Sequence, residues 1–247
     1  HIKSNNAITR ATITSNRTAE AIKNTLAKAS RKSEKAAEVK NGNCDIVIIG
    51  AGGAGLAAAI EGVQNGAKVI VLEKMGVAGG NTTSATGGLN AAETKIQKEL
   101  GIEDTKEQFY ADTMKGGYNK NDPALVRKMV DKAAETVDWL MSFGVDLSDV
   151  GKMAGSTNKR THRPQGGAAV GAHMVSVMET EALKIGVDLR KNPKVIDIIK
   201  EENKPAGVVV ETNGQRYTIA AKAVIIATGG FGANPDMVVK YKPELEG

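Results

Sequence analysis

Six consecutive residues, Gly50-Ala51-Gly52-Gly53-Ala54-Gly55, carry the sharpest chemical signal in the chain. A Gly-x-Gly-x-x-Gly turn between a strand and a helix turns free backbone N–H groups and the positive end of the helix dipole toward a pyrophosphate. In that role Gly50 permits the tight turn. Gly52 keeps a Cβ out of the ligand's way, and Gly55 lets helix and strand pack closely. The pattern alone is common, so its setting decides. Asp45-Ile46-Val47-Ile48-Ile49 precedes it and reads as a buried strand of a parallel sheet; residues 56–64 follow as a helix. Residues 68–72 form a second buried strand ending at Glu73, whose carboxylate is placed to accept the ribose hydroxyls of an adenosine. An acid at this point disfavours a 2′-phosphate, so a dinucleotide other than NADP is expected, and FAD and NAD both stay open.

The segment from Lys74 to Ala91 is rich in glycine and hydroxyl residues where a plain NAD domain would move into another helix and strand. Such a loop could wrap an extended cofactor and offer it backbone N–H groups. His162-Arg163 invites a dicarboxylate-binding role, against the alternative that the pair orients a loop or meets an acid. A protonated arginine is a poor general acid, and no residue of the chain is assigned as catalytic. Cys44 is the single cysteine, which excludes an internal disulfide, a cysteine-cluster metal site and a haem-binding Cys-x-x-Cys-His.

Several motifs in this order resemble the FAD domain of the soluble fumarate reductase flavoproteins, the flavocytochrome and urocanate reductase type. They are Gly50–Gly55 with Glu73, Gly79-Gly80-Asn81-Thr82, Ala85-Thr86-Gly87-Gly88-Leu89-Asn90-Ala91, Thr161-His162-Arg163-Pro164-Gln165-Gly166-Gly167, and Ala227-Thr228-Gly229-Gly230-Phe231. The resemblance covers about residues 43–247. It implies that Ala54 and Glu73 contact the adenosine half of FAD and that Asn81, Thr82, Gly87 and Gly88 line the pyrophosphate and ring. It also implies that Val195 holds the adenine through its backbone. Residues 83–88 contain no flavin-linking histidine, which implies non-covalent FAD. The implied activity is hydride transfer from FAD to an activated C=C bond of a carboxylate, fumarate first and urocanate next. Electrons would come from a flavin or haem domain, and the substrate clamp and proton donor would lie in a capping domain that this chain lacks. A non-catalytic FAD-binding fragment that needs a cap or partner chain is one alternative; an NAD-dependent dehydrogenase is the other. Near the start, Thr9-Arg10-Ala11-Thr12 resembles the end of an FMN-binding domain, with Thr12 at the FMN-bearing position and Arg10 where that motif has glycine.

These residues need a scaffold, and the pattern of the chain predicts an α/β fold: a Rossmann-like, three-layer FAD-binding domain with a small antiparallel β piece. Residues 1–42 are expected to be an N-terminal helix (17–30) and linker, and residues 43–247 the FAD-binding domain, incomplete at its C-terminal end. Asp122-Pro123 begins a long helix with Leu125, Met129, Val130, Ala133, Val137, Leu140 and Met141 on one face and Gly144 as its stop. A further helix spans 168–185. Strands follow at 187–189 and 195–199, a hairpin joins 208–210 to 217–219 around Asn213-Gly214, and a last strand covers 223–227. The chain has 247 residues, a net charge of +5 and only 3% aromatic residues. Its lysines are interspersed with acids, which argues against a nucleic-acid partner and for a solvated surface or a site for an anion. No run of 18 apolar residues exists, so no membrane span is expected. The resemblance leans toward an extracytoplasmic setting, with which low cysteine use is compatible.

Overall fold

The computed structural model describes residues 42–246, so the expected helix at 17–30 and Thr12 lie outside the described residues. Strand β1 (Gly42–Ile49) runs into helix α1 (Gly53–Gln64) and returns through β2 (Val69–Glu73). After a 3₁₀ turn at Gly80–Ser84 come β3 (Leu89–Asn90), α2 (Lys95–Glu99), α3 (Lys106–Gly116) and α4 (Pro123–Ser142). Then follow β4 (Asp149–Gly151), β5 (Thr161–Arg163), α5 (Val170–Lys184), β6 (Asp188–Lys191), β7 (Lys194–Glu201), β8 (Lys204–Thr212), β9 (Gln215–Ile226) and α6 (Pro235–Tyr241).

One sheet has the order β6-β2-β1-β9-β8-β7, and β1 pairs in parallel with both β2 and β9. Residues of β1 and β2 alternate between two cores, which is why both strands read as continuous apolar runs. Ile48, Val69 and Val71 pack with Leu56 and Ile60 of α1, Val130 and Val137 of α4 and Met178 of α5. Val47, Ile70 and Leu72 face the other way, onto Val208, Val210, Tyr217 and Ile219. Each fully buried side chain of this size contributes about 1.5–3 kcal/mol. The third layer is therefore built of antiparallel strands. β7 touches β2 although it lies at the far edge of the pairing order, so the sheet curls over.

Several expectations need correction. The strands expected at 217–219 and 223–227 are one strand, β9, whose residues Ile219–Ile226 pair with Gly42–Ile49 while its start forms the hairpin with β8. The antiparallel piece is thus continuous with the parallel sheet. β1 begins at Gly42 because Gly42-Asn43-Cys44 finds Ile219-Ala220-Ala221 as a partner. On α4 the buried face is Val126, Val130, Ala133, Val137 and Leu140, while Leu125 and Met129 are exposed. Its start is as expected, with Asp122 Oδ1 accepting from the N–H groups of Ala124 and Leu125. A second sheet, β3-β5-β4, was not foreseen; it is antiparallel throughout.

Candidate functional site

The glycine turn sits where four pieces of backbone meet. Gly50 has φ +102°, and a Cβ there would stand 2.6 Å from the carbonyl oxygen of Ala227, at the end of β9. A Cβ on Gly55 would stand 1.9 Å from the carbonyl oxygen of Gly50. Packing within the protein alone therefore requires glycine at both positions. Gly52 differs. Its φ of −76° and ψ of −175° suit any residue, and a Cβ would meet nothing closer than Gly79 O at 3.6 Å. The protein's own packing leaves the middle glycine unexplained and leaves room beside its backbone. α1 starts at Gly53, and its N-cap residue Gly52 has no side chain to cap it; the Gly53 N–H is taken by Thr82 Oγ1, which leaves the N–H groups of Ala54 and Gly55 at the positive end of the helix. Ala54, in its first turn, is exposed.

Glu73 is buried, and its carboxylate already has work within the protein. Oε2 accepts from the Ala51 N–H at 2.9 Å and Oε1 from the Met75 N–H at 2.8 Å. Each oxygen keeps a lone pair for a ligand hydroxyl. The carboxylate thus ties the glycine turn to the exit of β2. Met75 in turn accepts from the Asn192 N–H at 3.1 Å, and Asn192 opens the two-residue turn between β6 and β7, three residues before Val195. The structure therefore brings Val195 to the Glu73 end of the site.

From the same turn, the loop from Gly79 to Asn90 runs toward the small sheet. Gly79 N–H donates to Ala51 O at 2.7 Å, and Thr82 Oγ1 accepts from the Gly53 N–H at 3.1 Å. Thr82 is therefore a joint between loop and helix, whereas Asn81 beside it is exposed. Further on, Ala85 O and Gly87 O accept from the N–H groups of Gly171 and Val170 at the start of α5. A Cβ on Gly88 would stand 2.3 Å from His162 O, so this glycine lies flat against β5.

His162 has no exposure and is hydrogen-bonded at both ring nitrogens. Nδ1 lies 2.9 Å from Arg160 O, so it carries the proton, and Nε2 accepts from the Thr94 hydroxyl at 2.9 Å. Burial holds its pKa below the ordinary value, outweighing the hydrogen bonds to Arg160 and Leu89. His162 is a neutral strut beneath the loop that carries Gly88. Sequence reasoning missed what anchors it. Arg160 is 1% exposed and reaches Asp104 through Nη2 at 2.9 Å and Asp112 through Nη2 at 2.9 Å, with its guanidinium over the Phe109 ring. Its Nε is also 2.9 Å from Asp104 Oδ2, an ion-pair contact without hydrogen-bond alignment, and Nη1 has no hydrogen-bond partner. Asp104 precedes α3 and Asp112 lies on it, so this buried pair-of-pairs pins β5 to α3. The only signal for it was alternation: Arg160 and His162 share one face of the strand and Thr161 and Arg163 the other. Among the described residues no group of three or more His, Cys, Asp and Glu side chains could hold a metal ion.

Comparison with known proteins agrees with this geometry. Residues 45–246 match the FAD binding domain family. The NADH:fumarate oxidoreductase of Klebsiella pneumoniae (strain 342) is 42% identical over 236 residues, covering 92% of this chain and 26% of that protein. The fumarate reductase (cytochrome) of Shewanella frigidimarina is 47% identical over 205 residues, covering 82% of this chain and 36% of that protein. The structure of the open conformation of a flavocytochrome c3 fumarate reductase has a TM-score of 0.79 at 34% identity, covering 90% of this chain and 39% of that one. The chain therefore spans well under half the length of these relatives. The match decides between the two dinucleotides left open by the glycine turn: this chain belongs to the FAD binding domain family.

Proposed function

We propose that the chain is the FAD-binding part of a reductase that adds hydride to an activated C=C bond of a carboxylate, fumarate first and urocanate next. The observation that carries the cofactor assignment is Gly52, a glycine that protein packing does not require, at the start of α1. In this reading the N–H groups of Gly52, Ala54 and Gly55 hold the pyrophosphate, those of Gly50, Ala51 and Gly53 being bonded to Leu72 O, Glu73 Oε2 and Thr82 Oγ1. Ala54 and Glu73 hold the adenosine, and the Val195 backbone holds the adenine. Asn81, Thr82, Gly87 and Gly88 lie along the pyrophosphate and ring. FAD, bound without a covalent link, supplies the two-electron chemistry. The chain's own residues bind and orient it and keep the ring loop rigid through His162 and Arg160.

The substrate choice rests on the relatives' names, since the two sequence relatives are fumarate reductases. Their much greater length supports placing the substrate clamp, the proton donor and the electron-donating flavin or haem domain in further parts of the protein. The Klebsiella match covers more of this chain than residues 45–246, and so extends into the N-terminal segment. A second assignment, FMN carried at Thr12 by an upstream domain, rests on the Thr9-Arg10-Ala11-Thr12 motif. One set of measurements tests these readings. Purified protein should show flavin absorption that passes a filter after denaturation; colour retained with the protein would instead indicate covalent FMN. Fumarate-dependent oxidation of a reduced viologen dye separates a working reductase from a fragment that needs its cap. Failure to take up FAD at all would refute the cofactor assignment.

A further inference from the structure

Arg163 differs from the other described arginines in what surrounds it. Arg127, Arg160, Arg190 and Arg216 each hold a carboxylate. Arg163 holds none: among the described residues, no carboxylate oxygen comes within 4.0 Å of its guanidinium. Its cross-strand partner on β4, Asp149, also stays beyond that distance. The polar contacts it makes are neutral, with Nη1 donating to Gly167 O at 3.4 Å and Nη2 lying 3.8 Å from Met153 Sδ.

The side chain is nevertheless fixed in place. It leaves β5 on the face opposite His162, and that face is reduced to bare backbone beside it. A Cβ on Gly88 would stand 2.8 Å from Arg163 Cγ, and one on Gly151 would stand 2.8 Å from Nη2. Gly88 leads into β3 and Gly151 ends β4, the two neighbours of β5. The two glycines form a bed for the arginine. A half-buried cation, bedded in backbone and given only neutral acceptors, suits a negative charge that arrives from outside the protein.

The position says which charge. Glu73 ties the glycine turn to the exit of β2, next to the turn that precedes Val195. The Thr82–Gly88 loop leads instead from the start of α1 to β5, so with the adenosine at Glu73 the ring end of the cofactor lies toward Gly87, Gly88 and Arg163. Resting on the FAD reading above, we propose that Arg163 is the fixed positive charge that stabilises the reduced ring of FAD. The oxidised ring is neutral. On taking two electrons from a donor such as dithionite and one proton from solvent, it carries one negative charge, and a nearby cation favours that state.

The test uses the full chain loaded with FAD, with Arg163→Gln and Arg163→Lys beside the parent. The midpoint potential is read by spectroelectrochemistry, FAD affinity by quenching of flavin fluorescence, and folding by thermal melt. Arg163→Gln is expected to lower the preference for reduced over oxidised FAD about tenfold, a fall of about 30 mV for a two-electron couple. Its affinity for oxidised FAD should stay within about threefold of the parent, while Arg163→Lys recovers most of the potential. Equal potentials in all three FAD-loaded proteins overturn the proposal, as do equally lowered potentials in both variants, which would mark a packing effect. A parent chain that takes up no FAD removes the FAD reading and this proposal together.

Discussion

Replacing Gly52 with alanine separates a glycine kept for the fold from one kept for a ligand. The added methyl would stand 3.6 Å from Gly79 O and 3.9 Å from Thr82 Oγ1, both ordinary contacts. The backbone there is already extended, so alanine costs no strain. Alanine lowers the entropy of the unfolded chain, worth about 0.4–1 kcal/mol, and is a poorer helix cap than glycine by a similar amount. Net stability should change by no more than about 0.5 kcal/mol, or about 2 °C in Tm. Binding should change far more. The methyl holds the pyrophosphate off the N–H groups at the start of α1, and each hydrogen bond to a charged group is worth about 1.5–3 kcal/mol. Losing one or two of them weakens FAD binding by about 100-fold or more. Gly55→Ala is the contrasting control, because its methyl would stand 1.9 Å from a backbone oxygen that no side-chain rotation can move. That variant should lose about 3 kcal/mol or more, with Tm falling by roughly 6–12 °C. Thermal melts of the apo proteins and titration with FAD give both numbers. A Gly52→Ala protein that binds FAD within threefold of the parent, or that melts as low as Gly55→Ala, would refute the assignment of Gly52 to the cofactor.

Other outcomes follow from the same geometry. Because burial lowers the pKa of His162, the unfolded chain takes up a proton near pH 6.5 that the folded state refuses. The stability that neutral His162 contributes is therefore present above that pH and is lost as the pH falls; urea midpoints between about pH 7.5 and 5 should drop less steeply in His162→Gln than in the parent. Arg160→Ala strands the carboxylates of Asp104 and Asp112 without their cation and should cost about 3–5 kcal/mol, read as a Tm lower by about 6–20 °C. A loss under 1 kcal/mol would mean that the cluster does not hold β5 in place. Glu73→Gln points an amide N–H at the N–H of either Ala51 or Met75, at a cost of about 1–3 kcal/mol, and should weaken FAD binding at least tenfold; unchanged affinity would exclude Glu73 from the adenosine site.

The first β-α-β unit was legible because its signals are local. Two continuous apolar runs, a glycine turn and a terminal acid lie within residues 45–73, and each strand owes its apolar character to burial on both faces. The helix at Asp122-Pro123 was equally legible from its cap, and Val130, Ala133, Val137 and Leu140 were read onto its buried face, but that reading took in the exposed Leu125 and Met129 and left out the buried Val126. A 20-residue helix carries apolar residues on more than its core face, and only tertiary packing chooses among them. The continuity of β9 was hidden because the strand changes neighbours midway, and Ala220-Ala221-Lys222-Ala223 looks like an interruption when read alone. The small sheet left no trace, since strands of two and three residues exist only through pairing across the chain, as between Leu89 and His162. Arg160 was concealed for the same reason: a buried arginine is announced by its distant carboxylates, and nothing within a few residues of it marks it as buried.

The long reach of β9 has a consequence for how the chain is made. β1 lies between β2 and β9, and the contact from Cys44 to Ala220 spans 176 residues. During synthesis at about 5–20 residues per second, β1 and β2 emerge together, but roughly 9–35 s pass before the second neighbour of β1 exists. Throughout that interval one edge of Asp45-Ile46-Val47-Ile48-Ile49 is unpaired, and a short, β-branched, nearly uncharged segment of this kind is a template for strand addition between nascent chains. Slowing translation ahead of residue 215 should therefore lower the soluble yield, and a chaperone that shields exposed strand edges should restore it.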